Sequence, residues 1–155
     1  MNAYSELLRY IKQLADEDGY IKTVLSRVSE DFDWEKGNIY PLFNVSVLEG
    51  SFPTPALVSF AVELTCVDIR DLNPDHSEDK FWNNDNEVDN HNSTLATLSG
   101  IWTKLNRNFA SNDIVASDNP TINQIEFDGM NLADGWTMRF EVTMPIRELN
   151  LCEEC

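Results

Sequence analysis

Two segments of this chain alternate apolar and polar residues over a length that only an extended backbone accounts for. In "LVSFAVELTCVDIRD", Val58, Phe60, Val62, Leu64 and Cys66 fall on one side, and Ser59, Glu63 and Thr65 on the other. In "GWTMRFEVTMP", Trp136, Met138, Phe140, Val142 and Met144 alternate with Thr137, Arg139, Glu141 and Thr143. Successive strand side chains point to opposite faces, so a period of two gives each segment one apolar face to bury. Pro145 has no N–H to offer a ladder and ends the second segment's pairing.

The flanking sequence supplies partners. In "YPLFNVSVLEG", Phe43, Val45 and Val47 alternate with Asn44 and Ser46, and Pro41 marks the start of that strand or an edge. The proline-bearing "EGSFPTPA" reads as the loop that turns this strand back as a hairpin into the next. "PTINQIEFDGM" carries Ile122, Ile125 and Phe127 and reads as a strand that ends at the Asp128-Gly129 turn.

Two segments follow the helical period instead. In "AYSELLRYIKQLADEDGY", Tyr4, Leu7, Leu8, Ile11 and Leu14 share a face, with Asn2 as a cap and Gly19 as a stop. In "STLATLSGIWTKLNRNFA", Leu95, Leu98, Ile101, Trp102, Leu105 and Phe109 do the same, and Gly100 weakens the helix modestly. "IKTVLSRVSEDFDWEKGN" fits a short helix or a strand. Residues 71–92 are rich in turn formers and read as a long loop that holds the aromatic pair Phe81-Trp82. The expected fold is α+β: a mostly antiparallel four- to five-stranded sheet with two helices on one face. A length of 155 residues suits one domain over 1–150, with 151–155 as a polar tail.

The net charge is −16. Such a chain repels nucleic-acid phosphates and anionic membranes, so neither is an expected partner. No apolar run approaches a membrane span, and the amphipathic N-terminus lacks the pattern of a signal peptide. Three cysteines, an odd count, fit a reduced cytosolic setting.

Candidate chemistry is sparse. Cys152-Glu-Glu-Cys155 has the spacing of half a zinc site, but no second CxxC completes it. The flanking glutamates oppose the thiolate a redox pair needs. "DFDWEKG" begins like a calcium loop, yet Gly37 falls seventh and Leu42 twelfth counting from Asp31, where that loop needs Gly sixth and Glu twelfth. "NNDNEVDNHN" gathers oxygens that, with His91, are able to hold a cation; the simpler reading is a solvated loop. No Gly-x-Ser-x-Gly, HExxH or glycine-rich phosphate loop occurs, and Cys66 belongs to a core face where thiols pack rather than react. The expectation is no enzyme, no metal and no cofactor. Arg70, Arg107, Arg139 and Arg147 stand out in so acidic a chain, and pair with carboxylates of the same chain or of a neighbouring copy.

The order of elements, with "YPLF", a long hairpin ending at Asp68, an acidic loop, a helix, Gly135-Trp136, Pro145 and Cys152, resembles the tail-terminator and tail-completion proteins of tailed bacteriophages. It looks closest to those of crAss-like phages, which build the collar between portal and tail. The resemblance implies a closed homo-oligomeric ring, hexameric or dodecameric, in the virion neck. Such a ring is assembled in the bacterial cytoplasm, touches other neck, portal or tail proteins, and lets DNA pass without specific binding. Phe52, Pro53, Pro55, Phe81, Trp82, Arg139 and Arg147 are candidate interface residues, because apolar groups in exposed segments mark contacts. Phe60, Trp102, Trp136 and Phe140 are expected core anchors. A small acidic protein-binding adaptor outside any virion is the alternative, and a metal-dependent protein a remoter one.

Overall fold

The structure, a computed structural model, describes residues 3–26, 40–70, 87–109, 114–117, 119–127 and 133–146. The sequence-derived cap Asn2, the acidic turn at 30–38, Phe81-Trp82, Asp128-Gly129, Arg147 and the Cys152–Cys155 tail lie outside them, as do the side chains of Phe109 and Phe127.

The order is α1 (Ala3–Asp16), β1 (Thr23–Leu25), β2 (Leu42–Thr54), β3 (Leu57–Ile69), α2 (Glu87–Phe109), β4 (Val115–Ala116), β5 (Thr121–Phe127) and β6 (Ala133–Pro145). The architecture is α+β, and the sheet has six strands rather than four or five. The additional strands, β1 and β4, are two or three residues long. Strands this short carry too few side chains to display a period.

β2, β3 and β6 form the antiparallel centre. β1 lies parallel to the start of β2, and the amides of Thr23 and of Lys22 just before it donate to the Pro41 carbonyl. The Tyr40-Pro41 bond is cis, and β2 begins at the next residue. β4 and β5 follow one another along the far edge of β6. The backbone amide of Ser117 donates to the Glu141 carbonyl between them.

The period of two explains the register. Phe43 faces Cys66, Val45 faces Leu64 and Val47 faces Val62, while on the other side Leu64 faces Met138, Val62 faces Phe140 and Phe60 faces Val142. This apolar face meets Leu7, Ile11 and Leu14 of α1 and Leu98, Ile101 and Leu105 of α2 in one continuous core. Each such side chain contributes on the order of 1.5–3 kcal/mol when fully withdrawn from water. Cys66 is wholly inside, and burial raises its thiol pKa far above the ordinary range, so it packs as a small hydrophobe. Phe140 lies in the core, whereas Phe60, Trp102 and Trp136 are half-buried at its margin. Tyr4, expected on the buried stripe of α1, is 43% exposed and packs edge-on against Phe60.

Two further sequence expectations change. The proline segment is mostly strand: β2 continues to Thr54, leaving a two-residue turn at Pro55-Ala56. β2 absorbs the imino acid by shifting register between Ser51 and Thr54, as a bulge does. Residues 87–92, expected within the loop of 71–92, are instead the first turns of α2. Glu87 and Asp89 in that first turn suit the positive end of a helix dipole.

Candidate functional site

Two regions of the molecule carry unusual surface chemistry: the open edges of the sheet, and a polar cluster where β3, β5, β6 and α2 meet.

β1 covers only the first three residues of β2, so among the described residues the rest of β2 is an unpaired edge. Residues 48–56 are all exposed, with Leu48 at 41% and Phe52 at 74%. At the opposite edge, Val115 on β4 is 67% exposed and Ile122 on β5 is 42% exposed. Pro53 and Pro55 share the exposure of Phe52 at the hairpin tip. The hairpin is therefore buried at its base and bare at its end. Arg139 is engaged within the chain, its Nε donating to Glu63 Oε2. It still presents more than half of its side chain to solvent.

The polar cluster follows from register. Glu126 on β5 lies opposite Asp134 on β6, and Asp134 lies opposite Asp68 on β3. These three carboxylates form a row across the sheet, two residues beyond the row that holds Trp136 and Cys66, and on the same face. The first turns of α2 lie over this row, and Glu87 and His91, four apart, project from one side of the helix.

Arg70 grips Asp134 with a two-pronged hydrogen bond from Nε and a terminal nitrogen. The same terminal nitrogen lies 3.5 Å from Glu87 Oε2. Asp68 accepts from the Tyr20 hydroxyl at 2.7 Å and from the Ile69 amide at 2.8 Å. Burial, then the Asp68 carboxylate, pushes the Tyr20 phenol well above its ordinary pKa. The Asn90 side chain donates to the Ile69 carbonyl at 2.9 Å, fixing α2 to the end of β3.

His91 sits in the middle. Its Nε2 lies 3.9 Å from Glu126 Oε1, 3.9 Å from Asp134 Oδ1 and 4.0 Å from Glu87 Oε1. Its side chain is 9% exposed, and among the described residues neither ring nitrogen has a hydrogen-bond partner. The ring stands edge-on to Trp136, with centroids 6.0 Å apart, and the Trp136 indole N–H donates to the His91 carbonyl at 2.9 Å. Burial, then the hydrogen-bonded Glu126 carboxylate, raises the Glu87 pKa, and Arg70 opposes the rise.

Sequence reasoning weighed a cation held by His91 and the oxygens of residues 83–92, preferred a solvated loop there, and singled out neither Glu126 nor Asp134. The legible signal was the spacing Glu87-x-x-x-His91 directly before a strongly helical segment. No protein-family model matches the chain, and no curated protein is significantly similar to it.

Proposed function

We propose that this chain is a structural protein of a tailed-phage virion: a ring in the neck, acting as head-to-tail connector or tail terminator around the DNA channel. The observation that carries the reading is the pair of open sheet edges, each bearing exposed apolar side chains. A ring needs a heterologous interface, in which one patch meets a different patch on the next copy. The β2 edge with Leu48 and Phe52, and the β4–β5 edge with Val115 and Ile122, are two such patches on opposite sides of one sheet. Unpaired edges join another chain readily by strand addition. The Pro53 bulge limits how far that pairing runs, so Phe52 acts as an anchor at the end of an arm.

The surplus negative charge suits a wall that DNA slides past without sticking. The ring is hexameric or dodecameric, touches portal-side and tail-side virion proteins, and performs no reaction. Among the described residues no helix is long and apolar enough to cross a membrane.

Native mass spectrometry across a concentration series tests this. The chain forms a closed oligomer, and Phe52→Asp and Val115→Asp each return it to monomer with unchanged thermal stability. A wild-type chain that stays monomeric at every concentration, indistinguishable from both variants, overturns the ring and leaves the adaptor reading.

A further inference from the structure

Four carboxylates meet at the end of the sheet, beside the guanidinium of Arg70 and the imidazole of His91. Asp68 is held by the Tyr20 hydroxyl and its neighbour's amide, and Asp134 by the guanidinium of Arg70. Glu87 and Glu126 remain beside the imidazole of His91. Arg70 engages Glu87 through Oε2, while Oε1 is the oxygen nearest His91. Three carboxylate oxygens from three different elements thus converge on one imidazole nitrogen, at distances too long for hydrogen bonds.

That spacing has a chemical meaning. Metal–nitrogen and metal–oxygen bonds of ~2.0–2.2 Å put two ligands of a tetrahedral ion about 3.4 Å apart. The ligand atoms of Glu87, His91 and Glu126 all lie within 4.8 Å of one another, so modest side-chain rotations close the set. The imidazole is more than nine-tenths buried, and among the described residues both its nitrogens lack hydrogen-bond partners. Native structures rarely leave buried polar groups in that state, and a bound ion is among the usual reasons. Neither the edge-on Trp136 ring nor its indole N–H, which bonds the His91 backbone, supplies a partner for the imidazole.

We propose that Glu87, His91 and Glu126 bind a first-row divalent cation of the zinc class, with Asp134 as the neighbouring carboxylate that Arg70 holds in place. One imidazole with two carboxylates selects such ions over magnesium and calcium, which prefer oxygen alone, and over cuprous ion, which prefers sulfur. Three protein ligands leave one position to water, and Glu126, 57% exposed, opens the site to solvent. The ion staples the first turns of α2 to the β5–β6 edge. The proposal is independent of the ring reading.

The test uses the full chain carrying Cys152→Ser and Cys155→Ser, so that tail thiols cannot contribute, after dialysis against chelator. Zinc is titrated calorimetrically, and cobalt(II) is followed by its visible spectrum. The expected result is one equivalent bound per chain, a rise in melting temperature that chelator reverses, and a cobalt spectrum without thiolate charge-transfer bands. Glu126→Gln, at an exposed position that leaves the apo fold intact by circular dichroism, weakens zinc at least tenfold. His91→Gln removes stoichiometric binding. Absence of binding in the chain without the two tail thiols overturns the proposal. Equal zinc affinity in that doubly substituted chain and its Glu126→Gln variant does so too.

Discussion

At Gly135, β6 passes so close to β3 that the missing side chain is itself a structural element. A Cβ there would lie 2.0 Å from the Cys66 carbonyl oxygen and 2.8 Å from both Cα and Cγ1 of Val67. The first contact is a full ångström inside the 3.0 Å below which real Cβ atoms are essentially never found. Two of the three obstacles are backbone, so no rotamer change relieves them. The strands must part at a point where β3 and β6 are paired without a break from Leu57–Pro145 to Ile69–Ala133. Overpacking by one carbon usually costs about 1–3 kcal/mol when neighbours can shift. Here the upper end applies, with about 1 kcal/mol more for each ladder hydrogen bond that lengthens. The sum for Gly135→Ala is roughly 4 kcal/mol, a large part of the ~5–15 kcal/mol that holds a domain together. At ~2–4 °C per kcal/mol for a chain of this size, the melting temperature falls by about 8–16 °C. Gly100→Ala is the internal control. Nothing lies within 4 Å of a Cβ at that helical position, so the change stabilises by ~0.5–1 kcal/mol. Urea unfolding followed by tryptophan fluorescence and circular dichroism measures both. A Gly135→Ala midpoint equivalent to less than about 0.5 kcal/mol of loss would refute the close-approach argument.

Other outcomes follow from the same geometry. Asp134→Ala leaves the Arg70 guanidinium, 16% exposed, without its two-pronged partner, and costs about 3 kcal/mol by urea denaturation; a loss under ~1 kcal/mol contradicts the pairing. Trp136→Phe removes the donor to the His91 carbonyl and costs about 1 kcal/mol, whereas Trp136→Ala also empties the ring's half-buried seat and costs about 3 kcal/mol; equal losses would show that the hydrogen bond dominates. Tyr20, Tyr40 and Cys66 all have raised pKa values, so the native state holds their protons more tightly than the unfolded chain does. That stability is fully present below their unfolded values of ~8.5 for cysteine and ~10 for tyrosine, and is lost as pH climbs through the folded values. The urea midpoint therefore drops progressively above about pH 9, and less steeply in Tyr20→Phe; a midpoint flat to pH 11 would be the wrong result.

The alternation of residues 57–68 and 136–144 by itself determined the centre of the sheet. A period of two can bury its apolar side chains only as strands with one face inward, and Val62, Leu64, Cys66, Met138, Phe140 and Val142 are buried on that face. The helical stripes of Leu7, Ile11 and Leu14, and of Leu98, Ile101 and Leu105, were equally legible, because each covers a full apolar face of its helix. The sequence left β1 open between helix and strand and did not display β4; their few residues pair because β2 and β6 offer them an edge. Nor did it reveal that the proline segment is strand, since a bulge lets β2 continue past Pro53.

The polar cluster belongs to tertiary structure almost entirely. Glu126 and Asp134 become neighbours of His91 only through the register of β5 on β6, and a slip of one residue would turn Glu126 to the opposite face. Glu87 and His91 share a side only because α2 starts at Glu87, in a stretch whose turn-forming composition reads as loop until Asn90 and Trp136 tie it to the sheet. Periodicity records which face of an element is apolar. Which polar groups then meet at the element's end is decided by register and docking, and no local pattern encodes either.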